Sequence, residues 1–222
     1  MRGKIIVIEG TDGSGKQTQA KLLKERLEQE GYTVYSTSFP NYQSDSSALV
    51  RMYLGGEFGE NVSSVNPYAA SSFFAVDRVA SYLREWKTYL DNGTTVLLDR
   101  YTTSNAIYQA SKMPESEQAA FCDWLFDFEY NLLKLPEPDD VIFLDMPPEY
   151  AESLMQKRVG EEDIHEKDKE YLKKCYNAAT GLARKYSWHR IPCVKNQKIR
   201  TIDEIHAEIY KIISGVLAEG KQ

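Results

Sequence analysis

The stretch Ile5-Ile6-Val7-Ile8-Glu9-Gly10-Thr11-Asp12-Gly13-Ser14-Gly15-Lys16-Gln17-Thr18 decides the fold of this chain. Four apolar residues predict a buried strand. A glycine-rich turn follows, and Ala20, Leu23 and Leu27 then recur at helical spacing. Strand, turn and helix in that order make a phosphate-binding loop, and Gly10, Gly15 and Lys16 meet its G-x-x-x-x-G-K pattern. The glycines let backbone N–H groups curl around an anion, the helix N-terminus adds partial positive charge, and the lysine adds a full one. Gln17 stands where many nucleotide hydrolases place the Ser or Thr hydroxyl that ligates Mg²⁺. The plainer reading, a glycine turn with no ligand, is disfavoured because strand, loop, lysine and helix all agree.

Working outward, 222 residues suffice for one large α/β domain with a full core. A net charge of −6 with no basic block argues against a dedicated nucleic-acid or membrane-surface binder, yet leaves room for a local cationic phosphate site. No apolar run reaches membrane-span length, and the start lacks a signal-peptide pattern. Cys122, Cys175 and Cys193 form neither a metal pattern nor a disulfide framework, so reduced, buried thiols in a cytoplasmic protein are expected.

Further strands are expected at 32–38, 94–98, 141–144 and 188–194. Alternating with them are helices, one from Pro67 to about Asp91 with Val79, Leu83, Trp86 and Leu90 as its apolar stripe. Another carries Phe121, Leu125, Phe128 and Leu132 on one face. Later stripes are Tyr171, Cys175, Ala178 and Leu182, then Ile205, Ile209, Ile212 and Val216. Five alternating units imply a parallel sheet covered on both faces, with ligands bound beyond the strands' carboxyl ends. The phosphate loop, Phe39-Pro40, Asp99-Arg100 and Asp145 all fall at such ends, so most can meet in one cleft.

In that cleft Asp99 is placed to hold Mg²⁺ directly or through water, and Arg100 to clamp a phosphate. Alone, such a pair is equally a cap or surface ion pair. Phe74 and Arg78, four apart, suit a stacked base and a gripped phosphate, although spacing alone favours a core Phe and a surface Arg. Lys157 and Arg158 precede a charged stretch, Gly160 to Lys169, which reads either as a closing loop or as a solvated one.

These motifs, in order, resemble the thymidylate kinase family over nearly the whole chain. The match rests on Ile8 to Lys16 with its internal Asp12, Ser38-Phe39-Pro40, Phe74 to Arg78, Asp99 to Gln109, and more weakly Pro138 to Glu149. The resemblance implies a P-loop nucleoside-monophosphate kinase fold, with a five-stranded parallel sheet, helices on both faces and a short lid at about 156–168. It implies transfer of the γ-phosphoryl group of ATP to dTMP with Mg²⁺, and a homodimer formed through the helix from Pro67 and the next long one. ATP would lie on Gly10, Thr11, Asp12, Gly13, Ser14, Gly15, Lys16, Gln17 and Thr18. Phe39, Pro40 and Tyr42 would border the acceptor, with Phe74 on the thymine and Ser104, Asn105 and Gln109 near it. Tyr108 would pack on the deoxyribose, while Arg78 and Arg100 hold the acceptor phosphate. Asp12 would meet the 3′-hydroxyl or the Mg²⁺ shell shared with Asp99. Catalysis would fall to Asp12, Lys16, Arg100 and the lid cation Arg158.

The chain departs from the family at several points. Gly13 stands where one branch has arginine, Asn41-Tyr42 where relatives usually place an arginine near the acceptor phosphate, and His165 where Tyr is frequent. Arg51 is a candidate substitute for the missing clamp. A kinase of another deoxynucleotide or deoxynucleoside, and a P-loop protein that binds without transferring phosphate, therefore stay open as alternatives.

Overall fold

A computed structural model describes residues 2–155, 164–165 and 168–219. Its centre is a five-stranded, all-parallel sheet in the order β2-β3-β1-β4-β5. The strands are β1 (Ile5–Glu9), β2 (Val34–Ser38), β3 (Thr95–Asp99), β4 (Asp140–Asp145) and β5 (His189–Pro192). β1 is buried at every residue, as its unbroken apolar run requires for a strand covered on both faces. Alternate residues feed two layers. Ile6 and Ile8 pack with Leu23, Leu27 and Ile209, whereas Ile5 and Val7 pack with Trp86, Leu90 and Tyr101.

The helices are α1 (Lys16–Gln29), α2 (Ala48–Leu54), α3 (Pro67–Ser81), α4 (Lys87–Asp91), α5 (Thr102–Tyr108), α6 (Glu115–Phe126), α7 (Pro148–Met155), α8 (Lys169–Lys185) and α9 (Ile202–Glu219). Asn66 caps α3 by accepting from the Ala69 N–H at 3.0 Å, with Pro67 at the first helical position.

Two of the expected apolar stripes are corrected by π-helical turns. One, Tyr82–Trp86, joins α3 to α4, and the other, Asp127–Leu132, extends α6. A regular helix turns about 100° per residue. A π turn holds about one residue more, so the side chains beyond it fall behind in phase. Tyr82, Trp86 and Leu90 consequently pack inward while Leu83 is 63% exposed. Glu129 comes round to the buried face of α6 in place of Leu132, which is 68% exposed. In α8 the buried set is Tyr171, Cys175, Ala179 and Ala183, and in α9 it is Ile205, Ile209, Ile213 and Leu217, so both stripes drift by one residue from the expected ones. The last strand is also shorter than expected. It ends at Pro192, and a two-stranded ribbon follows, β6 (Val194–Lys195) and β7 (Lys198–Ile199), turning on Asn196 and Gln197 at positive φ.

Register sets up the site. Both Ser38 and Ile8 pair with Asp99 across β3, so the residues leaving β1, β2 and β3 emerge in one row at the sheet's carboxyl edge. Pairing continues one residue further. The Phe39 N–H donates to Asp99 O at 2.9 Å and the Arg100 N–H to Ile8 O at 3.1 Å. No helix among the described residues is long and apolar enough to cross a membrane.

Candidate functional site

A cleft of about 630 Å³ lies over that edge. The loop between β1 and α1 forms one wall. Gly13 and Gly15 have φ of 74° and 86°, the left-handed region that side chains resist. A Cβ on Gly13 would also stand 2.7 Å from the Ala151 carbonyl oxygen of α7, so only glycine fits there. Gly15 caps α1 without a side chain, which leaves the first-turn N–H groups for an anion. Lys16 folds back so that its Nζ donates to Thr11 O at 2.8 Å. Burial and the nearby Arg100 lower its pKa to about 8, against the pull of Asp12, Asp99 and Glu9. A negatively charged ligand would restore the full charge.

Asp12 leans from the loop toward α5. Its Oδ2 accepts from Tyr108 Oη at 2.7 Å and its Oδ1 accepts from Arg100 Nη2. Burial alone would raise this carboxyl, but Arg100, Lys16 and the Tyr108 hydrogen bond outweigh it and bring it down to about 2. Arg100 also donates to Gly10 O at 3.4 Å and Ser104 Oγ at 3.3 Å, and its backbone sits at φ 69°. An arginine held in the left-handed region directly after a strand is a strained device of the kind found at functional sites. Beneath it lies Glu9, fully buried. It accepts from the Gly10 N–H at 2.9 Å, from Thr103 Oγ1 at 2.7 Å and from Ser104 Oγ at 2.9 Å, tying the phosphate loop to α5.

The far end of the cleft is apolar and amide-lined. Phe39, Pro40, Tyr42, Phe74, Arg78, Asn105 and Gln109 border it. Asn105 Nδ2 donates to Ser71 O at 3.3 Å, but both amide atoms of Gln109, which is 0% exposed, lack a partner among the described residues. A buried amide with nothing to bond is costly unless a ligand completes it. Arg78 departs from the expectation of a free phosphate clamp. It is 1% exposed and gives Nε and Nη2 to Glu129 at 2.7 and 2.5 Å. Arg51 is corrected outright. Its Nη1 donates to Tyr42 O, Ser44 O and Ser47 Oγ, so it shapes the loop after Pro40 and does not line the cleft. Asp77, one residue before Arg78, pins the same loop through the Asn41 N–H at 2.8 Å and Ser46 Oγ at 2.6 Å.

The expected residues thus converge, with three qualifications. Gly10 and Thr11 back the loop rather than line the cleft. Asp145 is engaged by Arg190 and Tyr176 beside it. Lys157 and Arg158, with most of the expected lid, lie outside the described residues. Sequence reasoning missed Glu9, Glu129 and the wall formed by Ile199, Arg200, Ile202 and Ile205, and it noted His165 only as a departure at the lid edge. The polar Asn196-Gln197 pair between Val194 and Ile199 was a readable turn signal for that last wall. His165 lies 5.7 Å from the Tyr108 ring, stacked, and its Nε2 is 2.8 Å from Tyr53 Oη. Burial and Lys112 depress its pKa to about 3, so it is neutral.

How well the donors present suit Mg²⁺ follows from their bonding. Asp99 Oδ1 is buried and lacks a hydrogen-bond partner among the described residues, the state of a carboxylate oxygen that fits a cation or its water shell. Asp12 fits less directly, since both of its oxygens are already engaged. No cluster of three acidic, His or Cys side chains exists among the described residues, so the phosphates would have to supply most of the ligands.

The chain is similar to several known proteins. A family model described as thymidylate kinase matches residues 8–209. The thymidylate kinase of Plasmodium falciparum (isolate 3D7) is 31% identical over 221 residues, spanning 100% of this chain and 94% of that one. The thymidylate kinase of Mycobacterium tuberculosis (strain ATCC 25618 / H37Rv) is 35% identical over 148 residues, 66% of this chain and 68% of its own. Among solved structures, the thymidylate kinase of Candida albicans is similar in fold, with a TM-score of 0.73 at 24% identity, covering 96% of this chain and 92% of that one.

Proposed function

This chain belongs to the thymidylate kinase family, and on that premise we propose that it transfers the γ-phosphoryl group of ATP to dTMP, giving dTDP and ADP. The observation that carries the reading is the bridge from Asp12 of the phosphate loop to Arg100 and Tyr108. It joins a donor-phosphate site to an acceptor pocket within one cleft. A nucleotide hydrolase needs no such second pocket.

In this reading Lys16 and the amides of Gly13 to Thr18 hold the donor phosphates. Arg100 turns from Asp12 to the acceptor phosphate as that dianion arrives, and Asp12 is released toward the sugar 3′-hydroxyl. Phe74 stacks on the base, while Gln109 and Asn105 pair with its polar edge. The side of Tyr108 fills the space a 2′-hydroxyl would need. Arg158 belongs to this set as the lid cation. Catalysis is then positioning and charge stabilisation, with the attacking and leaving oxygens held in line. Asp99 would hold Mg²⁺, which would supply charge neutralisation for the phosphates.

We further read the chain as one kinase domain acting as a homodimer in the cytoplasm. The exposed Val76, Leu83 and Leu132 on α3, the turn after it and the end of α6 support the dimer, and the buried free thiols of Cys122, Cys175 and Cys193 support a reducing compartment. The deciding experiment is a coupled assay of ADP formation across dTMP, dUMP, dGMP, dCMP and thymidine. Turnover of dTMP should exceed the rest, and equal turnover across the panel would sink the assignment.

A further inference from the structure

Glu129 does not border the cleft, yet it is fully buried directly behind a residue that does. Its Oε2 accepts from Arg78 Nε at 2.7 Å and its Oε1 from Arg78 Nη2 at 2.5 Å. Thr102 Oγ1, at the start of α5, donates to Oε2 at 2.8 Å and holds the carboxylate in turn. Two parallel bonds fix the plane of a guanidinium as well as its place. Of the five N–H donors, two are spent on Glu129. The Nη1 pair has no protein acceptor among the described residues, and Arg78 lines the cleft.

Stability alone explains this pair poorly. A buried ion pair is often no better for folding than apolar side chains of the same volume. The sequence also goes out of its way to make it. Beyond Phe121 and Leu125 the buried face continues at Glu129 and not at the apolar Leu132, and Glu129 sits within the π turn at Asp127–Leu132. Single π turns of this kind recur at functional sites.

We propose that Glu129 is a positioning residue for the acceptor nucleotide: it locks Arg78 so that the guanidinium's remaining edge faces the bound nucleotide. The inference rests on the dTMP kinase reading. Binding energy is gained because Arg78 is ordered before the nucleotide arrives, so the contribution falls on acceptor affinity and not on the donor site.

The test is steady-state kinetics on the full-length enzyme with Glu129→Gln, which keeps the volume but cannot accept from both donors. The KM for dTMP should rise about tenfold, as expected for a displaced charged hydrogen bond, with kcat and the KM for ATP within about twofold. In an Arg78→Met background the same change should move the KM for dTMP by less than about twofold, because the residue it acts through is gone. Glu129→Asp, which keeps the charge, should recover part of the loss. A variant with a lowered Tm and an unchanged KM for dTMP would reduce Glu129 to a structural residue and overturn the proposal. Should Glu129→Gln fail to fold, Thr102→Val leaves both Arg78 bonds in place and removes the hydroxyl that bonds Glu129 and Tyr130. A rise of about threefold in the KM for dTMP is expected there, and no rise overturns the proposal equally. A wild-type enzyme that forms no dTDP would refute the functional reading and this inference with it. An active wild type with unshifted variants refutes this inference alone.

Discussion

Replacing Gln109 with methionine should move stability and affinity in opposite directions. Gln109 is 0% exposed, and neither its Oε1 nor its Nε2 has a hydrogen-bond partner among the described residues. Leaving a buried polar group unpaired costs about 1–3 kcal/mol. Methionine has nearly the same length, is unbranched and carries no strong donor or acceptor, so Gln109→Met should return that cost to the ligand-free protein. For a chain of this size about 1 kcal/mol corresponds to about 2–4 °C, and the ligand-free Tm should rise by about 2–12 °C. The bound state responds the other way. The polar edge of the base would meet a thioether, and the lost pairing of about 1–3 kcal/mol raises the KM for dTMP roughly 5- to 150-fold. Thermal unfolding with and without dTMP, beside the coupled assay, reads both terms. A ligand-free Tm that is unchanged or lower, or a KM for dTMP within about twofold of wild type, would refute the argument that this amide is kept unpaired for the nucleotide.

Other consequences follow from the same cleft. Lys16→Met should lower kcat by about 100- to 1000-fold, the range for losing one preorganised charge contact to the transition state, with single-turnover kinetics as the readout. Because Lys16 ionises near 8 in the ligand-free cleft and phosphates favour its charged form, ATP binding at pH 8.5 should take up protons. The KM for ATP should accordingly climb as pH rises above 8. Calorimetry in two buffers of different ionisation enthalpy measures the uptake, and none at pH 8.5 contradicts the assignment. Leu83→Glu and Leu132→Glu, both at exposed positions, should leave the Tm of the subunit within a few degrees but shift sedimentation from dimer to monomer.

Where strand and helix follow from local pattern, the chain is readable. Ile5 to Ile8 is apolar without alternation because both faces of β1 are covered, and that run alone implies the layers above and below. Glycine spacing announces the phosphate loop because the requirement is local: Gly13 and Gly15 must adopt positive φ within four residues of Lys16. The carboxyl-edge rule then brings Phe39 and Arg100 to the same side from the order of elements alone. The failures share a different cause. Leu83 and Leu132 were placed inside because a 3.6-residue period was assumed through two π turns. Arg51 was a candidate clamp because a missing arginine invites a substitute, but where its guanidinium points depends on carbonyl groups of the loop at 42–47, whose path is fixed by Asp77.

Three irregularities fall on the site. Arg100 is held at φ 69°, Gln109 is buried unpaired, and Glu129, within the π turn after α6, is buried behind Arg78. Each runs against what local preference would choose, and each either touches the cleft or supports a side chain that does. A cleft that must grip two polyanionic ligands cannot satisfy its own cations and amides first, because a group fully bonded to the protein has nothing left to offer. Arg100 rests on Asp12, with the buried Glu9 3.8 Å from its other Nη, and in the proposed mechanism it is the Asp12 contact that yields to a phosphate. Arg78, bound to a carboxylate sealed at 0% exposure, has no route to exchange. On the proposed reading the two arginines differ in kind: one is a movable charge and the other a fixed template. Exchanging lysine for arginine separates them. Arg100→Lys keeps a point charge that can still follow a phosphate, whereas Arg78→Lys loses the planar fork and should raise the KM for dTMP the more steeply.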